Sequence, residues 1–193
     1  IAIVVGDVTG HGMQGAMNAV MTDGMLHTIV EETESLSPAT LLGKLNRVLE
    51  SRMEDQMNVT MVIGLVNAET KTLTLANAAH HAHPLLVRDG EVQPLLAKGM
   101  PLGMMARVPY SEVEFPLQSG DAVVFMTDGI IEAHEVEDRE YQDSGRLEQV
   151  LGGFTAEMDA DAMVDAVIAD AIAYSGETAE QEDDITVVVV KIQ

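Results

Sequence analysis

The sequence predicts an α+β layered sandwich, antiparallel sheets covered by helices. Three observations lead there. Strand-like and helix-like segments do not alternate, which argues against a parallel βαβ sheet. Two helical periodicities stand together near the start, and most of the remaining chain reads as antiparallel hairpins. No linker, internal repeat or low-complexity tract interrupts the 193 residues, so a single domain over 1–193 is expected.

Ile1 to Val5 is short, apolar and β-branched, the pattern of a fully buried strand, with Gly6 expected to stop it. After a glycine-rich turn, Met13, Met17, Val20, Met21, Met25 and Ile29 recur at steps that describe one inward helix face, ending in the acidic stretch Glu31 to Glu34. Ser37-Pro38 opens a second helix, with Ser as N-cap and Pro at the first helical position. Leu41, Leu45, Val48, Leu49 and Met53 are its expected apolar face.

Strand texture comes next. Thr60 to Val66 and Lys71 to Ala76 flank the turn Asn67-Ala-Glu-Thr70. Leu85 to Arg88 and Glu91 to Leu96 flank Asp89-Gly90, a strong two-residue hairpin signal. Ser111 to Leu117 and Ala122 to Met126, around Gln118-Ser-Gly-Asp121, read as a further hairpin. A third helix over Asp161 to Tyr174 is expected to turn Met163, Val164, Val167, Ile168, Ala171 and Ile172 inward. Thr186 to Ile192 closes the chain as a buried strand.

Composition narrows the function. With 10 Lys+Arg against 32 Asp+Glu, the net charge is −22. That field repels phosphate backbones and anionic membranes, so nucleic acid is not an expected partner. No apolar run approaches the roughly 20 residues of a membrane span, so membrane insertion by this domain is not expected either. Cysteine is absent, which removes disulfides, thiolate catalysis and Cys-ligated zinc. Aromatics are 3% with no Trp, while Met reaches 13, so Ile, Leu, Val, Ala and Met must fill the core.

Gly10-x-Gly12-x-x-Gly15, after a strand and before a helix, formally matches a dinucleotide-binding fingerprint. That fold needs an acid about 20 residues on, at the end of a second parallel strand. Here the acids at that distance fall between two helices, and Asp7 would repel a pyrophosphate. No Lys-Ser or Lys-Thr pair follows the glycines, which excludes a P-loop. The glycines read better as a chain turn.

Asp7, Asp128 and the Asp183-Asp184 pair each sit at the end of an apolar strand-like run. Any one of them alone fits ordinary turn chemistry. If the strand ends converge, the carboxylates raise each other's pKa unless a cation joins them. Oxygen ligands without cysteine select a hard cation such as Mg²⁺ or Mn²⁺. His11 is a candidate general acid by residue type, but a turn histidine at a helix start is the plainer reading. His80, His81 and His83 read as loop or packing residues, since nothing sets them on one face.

Asp7-Val-Thr-Gly-His-Gly12, Asn77-Ala-Ala-His80, Gly99-Met-Pro-Leu-Gly103, Gly120-Asp121 with Thr127-Asp-Gly129, and Asp183-Asp-Ile-Thr186 occur in this order. Together they resemble the PPM family of metal-dependent serine/threonine phosphatases (protein phosphatase 2C), in its bacterial SpoIIE-like branch. The resemblance implies a four-layer αββα sandwich of two antiparallel sheets flanked by helices, and a site for two Mn²⁺ or Mg²⁺ ions. Asp7 corresponds to the carboxylate bridging both metals, with the Val8 carbonyl as a further ligand. Asp128 and Asp183 match two more metal-ligating acids, and Asp184 is the non-ligating neighbour. Asn77, His80, Gly103 and Gly120 correspond to turn or packing positions.

The resemblance further implies hydrolysis of phosphoserine or phosphothreonine on a bacterial signalling protein such as an anti-sigma-factor antagonist. It points to a phosphorylated regulatory protein as partner and a cytoplasmic location, and it leaves room for a homodimer. Members of the branch carry an upstream Gly-Gly-Asp segment, so the sequence is expected to lack the family's first strand or strands. A catalytically impaired pseudophosphatase acting by protein binding is the alternative. Ala79 stands where the family has glycine, and Ala82-His83 disturbs a usual proline pair.

Overall fold

The computed structural model describes residues 1–10, 12–51, 58–133, 140–176 and 184–193. Its strands are β1 (Ala2–Val8), β2 (Val59–Asn67), β3 (Thr72–Ala78), β4 (Leu85–Arg88), β5 (Glu91–Pro94), β6 (Val113–Pro116), β7 (Ala122–Met126) and β8 (Val187–Lys191). Its helices are α1 (Gly12–Glu31), α2 (Pro38–Glu50), the single turn α3 (Asp128–Ile131), α4 (Arg146–Gly152) and α5 (Ala160–Ser175). A 3-10 turn covers Tyr141–Ser144. Among the described residues no helix is long and apolar enough to cross a membrane.

The fold is α+β, as expected, with every strand pairing inside the two sheets antiparallel. The chain forms two compact units. The first comprises Ile1–His80 and Ala97–Pro116; the second comprises His81–Leu96 and Leu117–Gln193. Each contains one four-stranded sheet, in order β1-β2-β3-β6 and β5-β4-β7-β8 respectively.

In the first unit, α2 carries the main apolar load. Leu41, Leu42, Leu45 and Leu49 are buried with Val59, Met61 and Ile63 of β2 and Ala76 and Ala78 of β3. At about 1.5–3 kcal/mol per buried leucine, this stripe is a large share of the unit's stability. Its start is as expected: Ser37 Oγ accepts from Thr40 N at 3.3 Å, with Pro38 as the first helical residue. Met53 lies outside the described residues.

Helix α1 corrects the expected face. Its buried residues are Gly15, Asn18, Thr22 and Leu26, while Met13, 82% exposed, Met17 and Val20 point outward. Only Met21, Met25 and Ile29 of the expected stripe pack against the core, each partly buried. The rotation follows from close packing at the helix start: a Cβ on Gly15 would lie 2.6 Å from Gly10 O, so only glycine fits there. β1 also departs from expectation. It runs through Gly6, whose missing Cβ lets Thr60 O approach, and it alternates buried Ile3 and Val5 with exposed neighbours.

In the second unit, Asp89 (φ 51°) and Gly90 (φ 81°) make the expected tight turn between β4 and β5. The third expected hairpin does not form. β6 pairs with β3, whereas β7 pairs with β4 and β8. The turn between them is built for that hand-over. Asp121, buried, forms a two-pronged ion pair with Arg88 of β4 (2.8 and 2.6 Å) and accepts from Gln118 N at 2.7 Å. Gly120 N donates to Ile192 O just beyond β8. α5 buries Met163, Val167, Ala171 and Tyr174, leaving Ile172 outside where an inward residue was expected. β8 is half-buried along its length rather than fully buried.

Candidate metal centre

In the first unit the end of β1 carries Asp7 and Val8. Asp7 stands opposite Thr60 and Val8 opposite Val59. Directly opposed residues share a face, so Asp7 and Thr60 project to the same side of the sheet. Thr60 Oγ1 lies 3.2 Å from His80 Nδ1. His80 is 1% exposed and is fixed by Asn77, which accepts from His80 N at 2.7 Å and donates from Nδ2 to His80 O at 3.1 Å. The expected turn and packing roles of Asn77 and His80 are what the geometry gives.

The ladder also orients Val8. Ile1 exchanges bonds with Val66, and Thr9 N donates to Asn58 O at 3.0 Å. In an antiparallel pair, hydrogen-bonded and non-hydrogen-bonded positions alternate. Odd-numbered residues of β1 therefore bond to β2, and the Val8 carbonyl is directed away from it. β1 is an outer strand of the sheet among the described residues, so that carbonyl faces the sheet's margin.

The glycine turn beside these residues is conformational. Gly10 and Gly12 have φ of 116° and 67°, a region that favours glycine. His11, between them, lies outside the described residues.

In the second unit, Asp128 is the first residue of α3, directly after β7. Thr127 ties that point to the start of β8. Its Oγ1 donates to Asp184 O and accepts from Thr186 N, both at 2.9 Å, and its N–H donates to Thr186 O at 3.0 Å. Asp128 and Asp184 are thereby held at neighbouring strand ends. Asp183, the expected ligand, lies outside the described residues. Sequence reasoning named Asp128 and passed over Thr127; its place directly before the acid in Thr127-Asp-Gly129 was the available signal.

Among the described residues, no three His, Asp or Glu gather closely enough to hold a metal ion. The donors at each strand end, taken separately, are oxygens: a carboxylate and a peptide carbonyl on β1, carboxylates after β7 and before β8. Oxygen donors fit Mg²⁺ or Mn²⁺ and not a soft metal.

The family model for stage II sporulation protein E (SpoIIE) matches residues 1–193. The phosphoserine phosphatase RsbU of Bacillus subtilis (strain 168) is 29% identical over 133 residues, 68% of this chain and 39% of that protein. The chain thus spans about two fifths of that relative. Among solved structures, the SiaA-PP2C domain of Pseudomonas aeruginosa superposes with a TM-score of 0.85 at 26% identity, over 100% of this chain and 76% of that one. The catalytic domain of the serine/threonine phosphatase PstP, in complex with two manganese ions, gives 0.68 at 15% identity, over 97% and 86%. At that identity it bears on the fold alone. The chain belongs to the SpoIIE family of PP2C-type phosphatase domains.

Proposed function

We propose that the chain is a metal-dependent phosphoserine/phosphothreonine phosphatase domain, acting on a phosphorylated regulatory protein such as an anti-sigma-factor antagonist. The observation that carries the reading is the Thr127 clasp, which holds Asp128 beside Asp184 at one end of the second sheet. Family membership and a relative named phosphoserine phosphatase support the reaction class. The oxygen-only donors of these residues support Mn²⁺ or Mg²⁺ as the cofactor.

Asp7, the Val8 carbonyl, Asp128 and Asp183 are the groups assigned to hold the cations. When bound, the pair supplies a water of lowered pKa as the nucleophile for a phosphomonoester. The protein's part is positioning. Thr60, His80 and Asn77 brace the β1 end beside Asp7, and Thr127 ties the backbone just before Asp128 to Asp184 and Thr186. Each mount is a strand end, a rigid place for a metal-binding group. A chain of −22 repels a phosphate dianion unless its acids are locally neutralised, which agrees with metal dependence.

The test is hydrolysis of p-nitrophenyl phosphate and a phosphoserine peptide by the full-length protein with Mn²⁺, then with EDTA. Turnover with Mn²⁺ that EDTA abolishes is expected. Turnover surviving EDTA contradicts the mechanism, and no turnover with Mn²⁺ or Mg²⁺ favours the pseudophosphatase.

A further inference from the structure

Residues 97–110 form a long connection whose only pairing among the described residues is an isolated bridge at Leu102, yet the backbone is pinned at four places. Leu102, fully buried, exchanges two hydrogen bonds with Val59 at 2.8 and 3.2 Å. Asn46 of α2, also buried, donates from Nδ2 to Met105 O at 2.7 Å and accepts at Oδ1 from Gly103 N at 2.9 Å. Gly99 lies so close to β3 that a Cβ there would be 1.9 Å from Asn77 O. Tyr110 OH donates to Met100 O at 3.0 Å. Irregular loops of this length are uncommon in compact domains and are usually functional.

The side chains go the other way. Met104 and Met105 are 54% and 51% exposed, Met100 is exposed as well, and so are Lys98 and Arg107. A rigid backbone that presents large flexible apolar side chains to water forgoes much of the stabilisation their burial would give. Methionine surfaces adapt to varied apolar partners. The charge is also inverted here: 97–110 contains Lys98 and Arg107 and no acid, within a chain of −22. Among the described residues neither cation forms an ion pair. The loop adjoins the end of β1, because Val8 and Leu102 pair with Val59 from opposite sides. That places their backbones two strand spacings, about 10 Å, apart.

We propose that Met100, Met104 and Met105, with Lys98 and Arg107, form a docking lip for the phosphoprotein substrate. The lip takes an apolar side chain about three residues from the phosphorylated serine or threonine, the span of about 10 Å along an extended segment. Its two cations attract the phosphate-bearing segment to an otherwise repulsive surface. The lip rests on the phosphatase reading.

The experiment measures binding to the full-length protein with Mn²⁺ by fluorescence anisotropy. The probes are fluorescein-labelled peptides carrying a non-hydrolysable phosphonate in place of the phosphoserine, with Leu, or with Ser, three residues to either side of it. The Leu peptide is expected to bind about tenfold more tightly, and the double substitution Met104→Ser/Met105→Ser to erase the difference. Equal affinities, no binding of either peptide, or a preference that survives the substitution would overturn the proposal. Turnover of p-nitrophenyl phosphate with Mn²⁺ is expected to be the same in both proteins. A wild-type protein that selects the Leu peptide but turns over no phosphomonoester supports the lip and contradicts the phosphatase reading.

Discussion

The Thr127 hydroxyl donates to the Asp184 carbonyl at 2.9 Å while accepting from the amide of Thr186 at the same distance. One side chain closes the end of β7 onto the start of β8, tying the residue before Asp128 to Asp184 and Thr186. Thr127 is itself buried, and losing its hydroxyl removes both bonds to the start of β8. Thr127→Val should cost about 0.5–1.5 kcal/mol in denaturant unfolding and lower phosphatase turnover by tenfold or more. Thr127→Ser should recover most of both, and a Val variant with full turnover would remove the clasp from the account.

A second cluster lies elsewhere in the same unit. Asp170 accepts from Arg146 at 3.1 and 2.6 Å and from the hydroxyl of fully buried Tyr141 at 2.8 Å. The Arg146 bond, then the Tyr141 bond, hold the Asp170 carboxyl below its usual range against the opposing effect of burial. A carboxylate with a lowered folded pKa adds stability above its unfolded pKa and loses it as pH falls through the folded value. The wild type should therefore lose more melting temperature between pH 7 and pH 3 than Asp170→Asn does. Equal losses in calorimetric scans would contradict this. Tyr141→Phe should cost about 1 kcal/mol at pH 7.

Ala79 sits at φ 58°, where a Cβ is strained. It bridges to Met61 and precedes the buried His80. Ala79→Gly should raise stability by up to about 1 kcal/mol, the relieved strain being partly offset by the greater freedom of an unfolded glycine. Chemical denaturation checks it, and a destabilised glycine variant would refute it.

Gly99→Ala tests the anchoring of the 97–110 loop. Its Cβ would collide with Asn77 O, a backbone atom that cannot swing away. A loss of about 1–3 kcal/mol is expected, with faster hydrogen exchange at Gly103, whose amide bonds to Asn46. Unchanged exchange would show that the loop is not held as described.

Local chemistry made much of this fold legible. Ser37-Pro38 marked a helix start and Asp89-Gly90 a turn because cap and turn geometry is set by the residues themselves. The acids at positions 7 and 128 were legible as strand-end residues for the same reason. What escaped depends on distant partners. The face of α1 is chosen by the approach of Gly15 to Gly10, so the methionine periodicity misled. The pairing of β6 with β3 instead of β7 is decided by sheet topology, which a local hairpin pattern does not carry. Thr127 entered only as part of Thr127-Asp-Gly129 and was given no role, because its partners lie 57 and 59 positions away.

The most direct test counts ions. Equilibrium dialysis of the full-length protein against Mn²⁺, alongside Asp7→Asn and Asp128→Asn, asks whether acids 121 positions apart serve one centre. The account predicts two ions per wild-type chain and the loss of at least one in each variant, together with turnover. Wild-type stoichiometry in both variants would contradict it.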